Sequence, residues 1–398
     1  MDVIQFGKNI QRREKKMMKI KEKHKLRKPS GPNLVGCKHF SYEYDSNETD
    51  GKSRVIPCLC FYPAKDIDEG KLKPYVNESI MPGTNGIETN SYINAPIGDG
   101  KHPLLLFSHG YNLFCEANTV QFEELASHGY MVLSIGHQGA GMYELPTGEV
   151  LMPDTEKQMK ELQADTVNAI ELFDTYSAWL SGAGKAASLE EHRDSYQRLI
   201  DGQPGLTANS EGWIKDSLVA LDMFLNEGEQ GNAILHHHVD KERIGAFGMS
   251  FGGSTALSLT HASELIKASA NLDGFFYSTI WQKPIAKPSL MVQNGAGLFL
   301  TYPFLNAEND AYLVTVKNST HANFTDYSEI LAENFISKGV VEGKEVEQAM
   351  LGEIDPNEME RIMNVLLLDF FDKYLKGKDS QVLDTDDELP NDVILLRK

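Results

Sequence analysis

The sequence predicts an α/β protein with a mostly parallel central sheet covered by helices on both faces. Short, continuous apolar segments recur along the chain, as at residues 104–108 and 130–135, and a helical pattern at 119–128 separates these two. Strands that are buried on both faces of a parallel sheet have this uniform apolar composition. A further observation is the pentapeptide Gly-Met-Ser-Phe-Gly at residues 248–252, which lies between an apolar strand and a helical segment.

Composition is ordinary for a globular protein and argues against several other classes of protein. The chain of 398 residues has 41% hydrophobic and 24% charged residues, and its formal net charge is −19. Such an acidic chain is not expected to bind nucleic acid, and it would approach anionic membranes slowly. No apolar segment reaches transmembrane length and no signal peptide is recognisable, so a cytoplasmic location is expected.

Two groups of residues could suggest a metal site, and neither has the required pattern. The cysteines Cys37, Cys58, Cys60 and Cys115 form neither a metal-binding motif nor a disulfide framework. Three consecutive histidines occupy residues 236–238. Consecutive side chains rarely converge on one ion, and no carboxylate pattern accompanies these histidines. The sequence therefore predicts a protein without a metal or a cofactor.

The N-terminal segment differs in charge from the rest of the chain. Residues 8–28 contain eleven Lys or Arg and only two acidic residues, and a Pro-Ser-Gly-Pro sequence follows at 29–32. We predict that residues 1–30 form a basic arm, which is solvated and separate from the folded domain. The alternative is an amphipathic helix that binds an anionic surface.

The folded domain is predicted to span residues 31–377. An early strand is expected at residues 54–63, and a loop-rich segment follows it. Three more strands are expected after the pentapeptide, and an amphipathic helix rich in Leu and Phe should then pack on the sheet and complete it. These later elements are predicted at residues 265–272, 289–293, 311–316 and 359–375.

Residues 139–213 interrupt this pattern. They are polar, helical in character and broken by loops, and no strand is predicted among them; a strong helical period over 214–226 follows. Active sites of open α/β sheets lie at the carboxyl ends of the strands. We therefore expect residues 139–213 to form a helical, cap-like excursion over that edge. Residues 378–398 are predicted to form an acidic tail.

The pentapeptide at residues 248–252 has the context of a nucleophile elbow. Small residues on both sides of Ser250 permit a tight turn between strand and helix, which would expose the serine hydroxyl at the top of the sheet. A serine hydroxyl needs an adjacent base, and in this arrangement the base follows the serine in the chain. Only His261 and His321 do so. His261 lies in or just after the elbow helix and would point away, so His321 is the predicted base.

The base in turn needs an acid that orients it. Asp273 directly follows an apolar strand and precedes Gly274, so its carboxylate would lie at the same edge of the sheet as the serine. We predict Asp273 as the acid. Asp310 and Asp326 are the alternatives, one in a loop and one just after the predicted base.

Hydrolysis through a tetrahedral intermediate also needs two N–H donors for the oxyanion. Phe251 follows the nucleophile and begins a helix, so its backbone N–H is one predicted donor. Tyr111 follows an early strand, and Gly110 would let the backbone turn its N–H inward as the second donor. His109 precedes Ser250 in the chain, so we expect it to support this loop rather than to act as the base.

Several separated motifs resemble the platelet-activating factor acetylhydrolases of the plasma and type II intracellular family. The likeness extends from about residue 31 to 376, although family members often have His in place of Met249. The motifs lie at residues 31–37, 61–63, 107–110, 126–130, 248–253, 272–273 and 321–324. The resemblance implies an α/β-hydrolase fold and a metal-independent Ser-His-Asp hydrolase that cleaves short or oxidised sn-2 acyl chains from phospholipids.

We therefore expect a serine hydrolase of carboxylic esters that prefers short acyl groups. The bulky residues Phe251, Phe275 and Phe276 would crowd a long chain near the site. The expected partner of the enzyme is its substrate, a small ester or a phospholipid. A phospholipid substrate would bring the enzyme into contact with a membrane surface. Two alternatives are a general carboxylesterase, lipase or dienelactone-hydrolase-like enzyme, and a catalytically silent hydrolase fold that acts as a scaffold.

Overall fold

A mixed sheet, with twelve strands in the described residues, forms the centre of the molecule. The computed structural model describes residues 24–45, 53–65, 67, 70–226, 234–297, 299–330, 350–385 and 392–398. The strands are β1 (His24–Lys25), β2 (Leu34–Asp45), β3 (Ser53–Ala64), β4 (Leu72–Pro74), β5 (Ile87–Ile93), β6 (His102–Ser108), β7 (Met131–Ile135), β8 (Tyr143–Glu144), β9 (Val150–Leu151), β10 (Val239–Met249), β11 (Ile266–Leu272), β12 (Ser289–Asn294), β13 (Ala311–Val316) and β14 (Val393–Arg397).

The order of these strands confirms the predicted fold class. The main sheet runs β1-β5-β2-β3-β7-β6-β10-β11-β12-β13-β14, with β4 paired to β5. From β7 to β13 every neighbouring pair is parallel, whereas β3 and β14 run antiparallel to their neighbours. The carboxyl ends of the central parallel strands therefore meet at one edge.

Helices cover both faces of this sheet. Those of more than one turn are α1 (Thr119–Ser127), α2 (Thr155–Ser181), α3 (Leu189–Asp201), α4 (Pro204–Leu225), α5 (Phe251–Ala262), α6 (Thr301–Leu305) and α8 (Pro356–Lys376), and α7 (Tyr327–Ile330) is a single turn. Side chains alternate along the strands: Leu105 and Phe107 pack with α1 and α8, and Leu104 and Leu106 pack with α4. This alternation places an apolar layer on each face.

The excursion contains three of these helices and one short hairpin. Strands β8 and β9 pair antiparallel within residues 139–213, so the prediction that this segment has no strand was wrong. Each has only two residues, too few to give a periodic pattern. Helix α4 also begins at Pro204, ten residues before the helical period recognised at 214, with the proline in its first turn.

Both ends of the described chain join the sheet. Strand β14 pairs along β13, so residues 393–397 are an edge strand and not part of a tail. At the opposite edge, β1 pairs with β5, and Leu26 is only 2% exposed. Residues 24–30 thus belong to the fold rather than to a separate arm, and the rest of the predicted arm lies outside the described residues. No helix in the described ranges is long and apolar enough to cross a bilayer.

Candidate active site

Ser250 lies in a strained turn between β10 and α5. Its backbone has φ 55° and ψ −121°, a conformation that non-glycine residues rarely adopt. Both flanking glycines are required by close packing: a Cβ atom on Gly252 would lie 1.9 Å from the carbonyl oxygen of Ser108, and one on Gly248 would lie 2.2 Å from that of Gly252. The turn has the geometry of a nucleophile elbow and directs the hydroxyl out of the sheet edge.

The structure brings Ser250, His321 and Asp273 together. The Oγ atom of Ser250 is 2.9 Å from Nε2 of His321, and Nδ1 of the same ring is 2.6 Å from Oδ2 of Asp273. A carboxylate only accepts hydrogen bonds, so Nδ1 carries the proton and Nε2 can accept the serine hydroxyl. The three residues follow strands β10, β11 and β13, whose carboxyl ends meet at this edge.

The charge of Asp273 changes the basicity of the imidazole. Burial lowers the pKa of His321, but the hydrogen bond to Asp273 and the negative charge of that carboxylate outweigh burial, and the pKa is raised above its ordinary value of 6.5. A raised pKa strengthens the base and also means that it is protonated at a higher pH.

Asn294 is a residue of the site that the sequence reasoning missed. Its backbone N–H donates to Oδ1 of Asp273 and its side-chain Nδ2 donates to Oδ2, both over 2.8 Å. Its own Oδ1 accepts the backbone N–H groups of Ala296 and Gly297, which fixes the orientation of the amide. The only signal in the sequence is the position of Asn294 at the end of β12, directly beside the strand that Asp273 follows.

The rival acids have other partners. Both carboxylate oxygens of Asp326 accept backbone N–H groups at the start of α1, from Thr119 and Val120. Asp310 accepts the hydroxyl of Tyr374. Asp326 thereby connects the segment that follows the predicted base to α1, the helix after the predicted oxyanion loop.

The loop after β6 lies against Ser250. A Cβ atom on Gly110 would be 3.3 Å from Cβ of Ser250 and 2.9 Å from the sulfur of Met249. Phe251 is the first residue of α5, so its backbone N–H has no partner within the helix. The rings of Tyr111 and Phe251 are in edge contact at 5.5 Å. The oxyanion roles of the Tyr111 and Phe251 amides stay predictions.

The buried ring of His109 is hydrogen-bonded to this loop and to Tyr143. Its Nδ1 donates to the carbonyl of Gly110 over 2.7 Å, and the Tyr143 hydroxyl lies 2.7 Å from its Nε2. Burial, together with the charge of nearby His137, lowers the pKa of His109 to about 3. The ring is therefore neutral at all ordinary pH values and provides a fixed acceptor and a fixed donor.

A cavity of about 310 Å³ opens at the triad. Its apolar lining is provided chiefly by Leu113, Met249, Ala322, Tyr327 and Met350. The residues that were expected to crowd the acyl chain are absent from this lining. Those residues, Phe251, Phe275 and Phe276, are buried instead in an aromatic cluster beneath the excursion.

The three consecutive histidines lie in a short helical turn directly before β10. Within the described ranges, no group of three or more His, Cys, Asp or Glu side chains is arranged to hold a metal ion. His236 is buried, and Nδ1 of His238 donates a hydrogen bond to the carbonyl oxygen of Gly100.

Comparison with known proteins places these observations in a family. The model of the family described as platelet-activating factor acetylhydrolase, isoform II, matches residues 18–143 and 222–392, on both sides of most of the excursion. A platelet-activating factor acetylhydrolase of Gallus gallus is 25% identical over 87% of this chain and 83% of its own length. One from Cavia porcellus is 22% identical over 87% of this chain and 77% of its own.

A solved structure has the same fold. A ferulic acid esterase from Streptomyces cinnamoneus superposes with a TM-score of 0.73 and covers 94% of this chain and 100% of its own. The two sequences are 20% identical, so the likeness concerns the architecture of the sheet and its helices.

Proposed function

The chain belongs to the platelet-activating factor acetylhydrolase, isoform II, family and is thus an ester hydrolase, and we propose that Ser250, His321 and Asp273 carry out its chemistry. The single observation that supports this assignment best is the continuous hydrogen-bonded series from the Ser250 hydroxyl through His321 to Asp273. It leads from a strained turn to a buried carboxylate, as a serine hydrolase requires.

In the proposed mechanism, Oγ of Ser250 attacks the ester carbonyl while Nε2 of His321 takes its proton. The backbone N–H groups of Phe251 and Tyr111 bind the oxyanion of the tetrahedral intermediate. His321 then returns the proton to the leaving alcohol, and an acyl-enzyme remains. Water repeats the cycle and releases the acid. Asp273 remains ionised throughout, holding the imidazole tautomer and stabilising the imidazolium.

Replacement of the nucleophile or the base tests the assignment. We expect Ser250→Ala and His321→Ala each to lower kcat by roughly 10⁴ to 10⁶-fold on a p-nitrophenyl ester. The double variant should lose little more, because the groups act as one unit. A fluorophosphonate probe should label the wild type at Ser250.

His261→Ala is the matched control, since this histidine also follows Ser250 but lies at the far end of α5. It should retain wild-type turnover. Substantial activity in Ser250→Ala, or labelling at another residue, would reject the triad and leave the scaffold alternative.

We further propose that the acyl group is short, as in the acetylhydrolases that the relatives are named for. The apolar cavity beside Ser250 is limited to about 310 Å³, which supports this choice. Across a series from acetyl to palmitoyl esters, kcat/KM should decline by about tenfold or more at the long end, a difference of about 1.4 kcal/mol per tenfold. A steady rise toward palmitoyl esters would instead identify a lipase. Phospholipids with a short sn-2 chain are included among the proposed substrates.

A further inference from the structure

A further histidine, His137, is buried behind the predicted oxyanion loop at residues 109–111. Its Nε2 atom lies 3.3 Å from Oγ of Ser108, the last residue of β6, and its Nδ1 atom lies 3.1 Å from Oδ2 of Asp216. These residues repeat the serine, imidazole and carboxylate order of the proposed triad. Ser108 is only 3% exposed, and His137 and Asp216 are completely buried, so a substrate cannot reach this serine. The group therefore acts through the fold rather than as a second active site.

Asp216 determines where the proton of His137 lies. Its carboxylate also accepts hydrogen bonds from Nε and Nη2 of Arg54, each over 2.7 Å, and from the hydroxyl of Tyr44 over 2.9 Å. Burial raises the pKa of Asp216, but the hydrogen bonds from Arg54 and His137 outweigh burial, and the pKa is lowered. Because an ionised carboxylate only accepts, Nδ1 of His137 carries the proton. Burial also lowers the pKa of His137, so the ring is neutral and its Nε2 accepts the hydroxyl of Ser108.

The backbone of Ser108 is in direct contact with the turn that carries Ser250. A Cβ atom on Gly252, two residues after Ser250, would lie 1.9 Å from the carbonyl oxygen of Ser108 and 2.5 Å from that of His109. The two segments are therefore packed without room for one further carbon atom. Because Tyr111 follows Ser108 by three residues, a displacement of Ser108 would move the predicted oxyanion donor of Tyr111 relative to Ser250.

Helix α4 of the excursion contacts this loop in two places. It carries Asp216, which is linked to Ser108 through His137, and it also carries Trp213. The indole of Trp213 is stacked on the ring of His137 at 3.9 Å, and it lies nearly parallel to the ring of Tyr111, at 10° and 6.1 Å. The helix therefore holds the start of the loop through hydrogen bonds and Tyr111 through ring packing.

Stability alone is a weak reason for this network. The side chains of Arg54 and Asp216 are 14% and 0% exposed, and an ion pair buried to this extent is often no more stabilising than apolar residues of similar volume. The family model matches residues 18–143 and 222–392, so it includes Arg54 and His137 but neither Trp213 nor Asp216. The part of the network on α4 is thus a feature of this chain that the family match does not account for.

We propose that His137 is a positioning residue for the predicted oxyanion loop. Held by Asp216, it fixes Ser108 and thereby directs the backbone N–H of Tyr111 at the oxyanion. The oxyanion exists only after Ser250 has attacked the ester, so its stabilisation raises kcat and leaves the binding of the intact ester nearly unchanged. His137 exchanges no proton with the substrate. The inference rests on the proposed function, because it assumes a tetrahedral intermediate at Ser250.

Ser108→Ala tests the proposal, because it removes the hydroxyl that joins the network to the loop and leaves the ion pair intact. On p-nitrophenyl acetate, with active sites counted by the fluorophosphonate probe, kcat and kcat/KM should fall together by about tenfold or more, since a small displacement of an oxyanion donor is costly. A trifluoromethyl ketone, which forms a tetrahedral oxyanion on Ser250, should bind more weakly by the same factor. The corresponding amide, which forms no such adduct, should bind as it does to the wild type.

His137→Asn tests whether the effect passes through the imidazole. The asparagine amide can still donate to Asp216 but offers no acceptor to Ser108. Its kcat should be lowered at least as far as that of Ser108→Ala. In the double variant Ser108→Ala should cause no further loss, because both changes break the same contact.

Ser134→Ala is the matched control, because this serine is also buried, lies on the neighbouring strand β7, and donates to the carbonyl of Cys115 rather than to the network. It should keep the kcat and the inhibitor affinities of the wild type. Wild-type kinetics in Ser108→Ala, an equal loss of affinity for the amide, or losses that add fully in the double variant would overturn the inference. Absence of turnover on p-nitrophenyl acetate in the wild type would instead reject the proposed function, and this inference with it.

Discussion

Asn294 determines how the carboxylate of Asp273 faces the imidazole of His321. Both oxygens of the carboxylate accept hydrogen bonds from this one residue, and Oδ2 is shared between its amide and the ring. Each N–H donated to a carboxylate stabilises the negative charge and reduces its pull on the imidazole proton. Asn294 should therefore both orient the acid and moderate the basicity of His321.

This role gives a prediction about pH dependence. His321 must be neutral to act as a base, and its pKa is raised above 6.5. Activity should therefore be present at high pH and lost as the pH falls through that raised pKa. In Asn294→Ala the acid limb of kcat/KM should move to still higher pH, and kcat should fall by about tenfold, because a hydrogen bond to a charged group contributes about 1.5–3 kcal/mol.

Asn309→Ala is the control for this experiment, because its exposed amide donates only to the carbonyl of Ala286. It should leave the pH profile of kcat/KM unchanged. A merely structural role of Asn294 would lower the melting temperature and the amount of active enzyme without moving the profile, and that result would contradict the prediction.

The elements that could be predicted from the sequence are those with a long, uniform pattern. The buried parallel strands and the helix at Pro356–Lys376 agree with their predicted positions within a few residues. Strand β14 could not be recognised from the sequence. Its five residues follow an acidic segment, and what identifies them as a strand is their pairing with β13 in the folded protein. Asn294 was missed for a related reason. It contacts Asp273 because β11 and β12 are neighbours in the sheet, and no local sequence pattern indicates that contact.

The N-terminal segment gives the next prediction, which reverses the expectation from charge alone. Leu26 is buried among the apolar residues around Phe114 and Ile330, and the backbone N–H of Arg27 donates to Glu329. We expect deletion of residues 1–28 to lower the free energy of unfolding by about 2 kcal/mol or more, since burial of a leucine side chain contributes about that much. It should also reduce kcat, because Glu329 lies in the segment that carries His321.

Two further variants separate the parts of this segment. Leu26→Ala should reproduce most of the loss of stability in a denaturant titration, as truncation of a buried leucine costs about 2–5 kcal/mol. Deletion of residues 1–20 alone tests the solvated arm that the sequence predicts, and should leave the midpoint of unfolding unchanged. An unaltered midpoint after deletion of residues 1–28 would show that the contacts of Leu26 and Arg27 contribute nothing to stability.

At the scale of the whole molecule, the sheet and the excursion contribute different things. The sheet edge brings together Ser250, Asp273 and His321, which follow β10, β11 and β13 and are far apart in the chain, and these are the proposed reacting groups. The excursion packs against them: Tyr176, Tyr196 and Trp213 share a buried aromatic cluster with Phe251 and Phe275. This packing could not be predicted from the sequence, because the aromatic residues of the excursion meet those near Ser250 only when the chain folds back on itself.

The net charge gives a last prediction, which concerns the whole molecule rather than its site. The formal charge is −19, yet residues 8–28 carry eleven of the basic side chains. In about 0.01 M salt the screening length is about 30 Å, so charges spread over much of the molecule act together on a nearby surface and the net charge dominates the interaction. We therefore expect the Ser250→Ala protein to sediment less with anionic phosphatidylglycerol vesicles than with neutral phosphatidylcholine vesicles at low salt. In about 1 M salt the screening length falls to about 3 Å, and the difference should disappear. Stronger binding to the anionic vesicles at low salt, abolished by deletion of residues 1–20, would show instead that the basic segment acts locally and overrides the net charge.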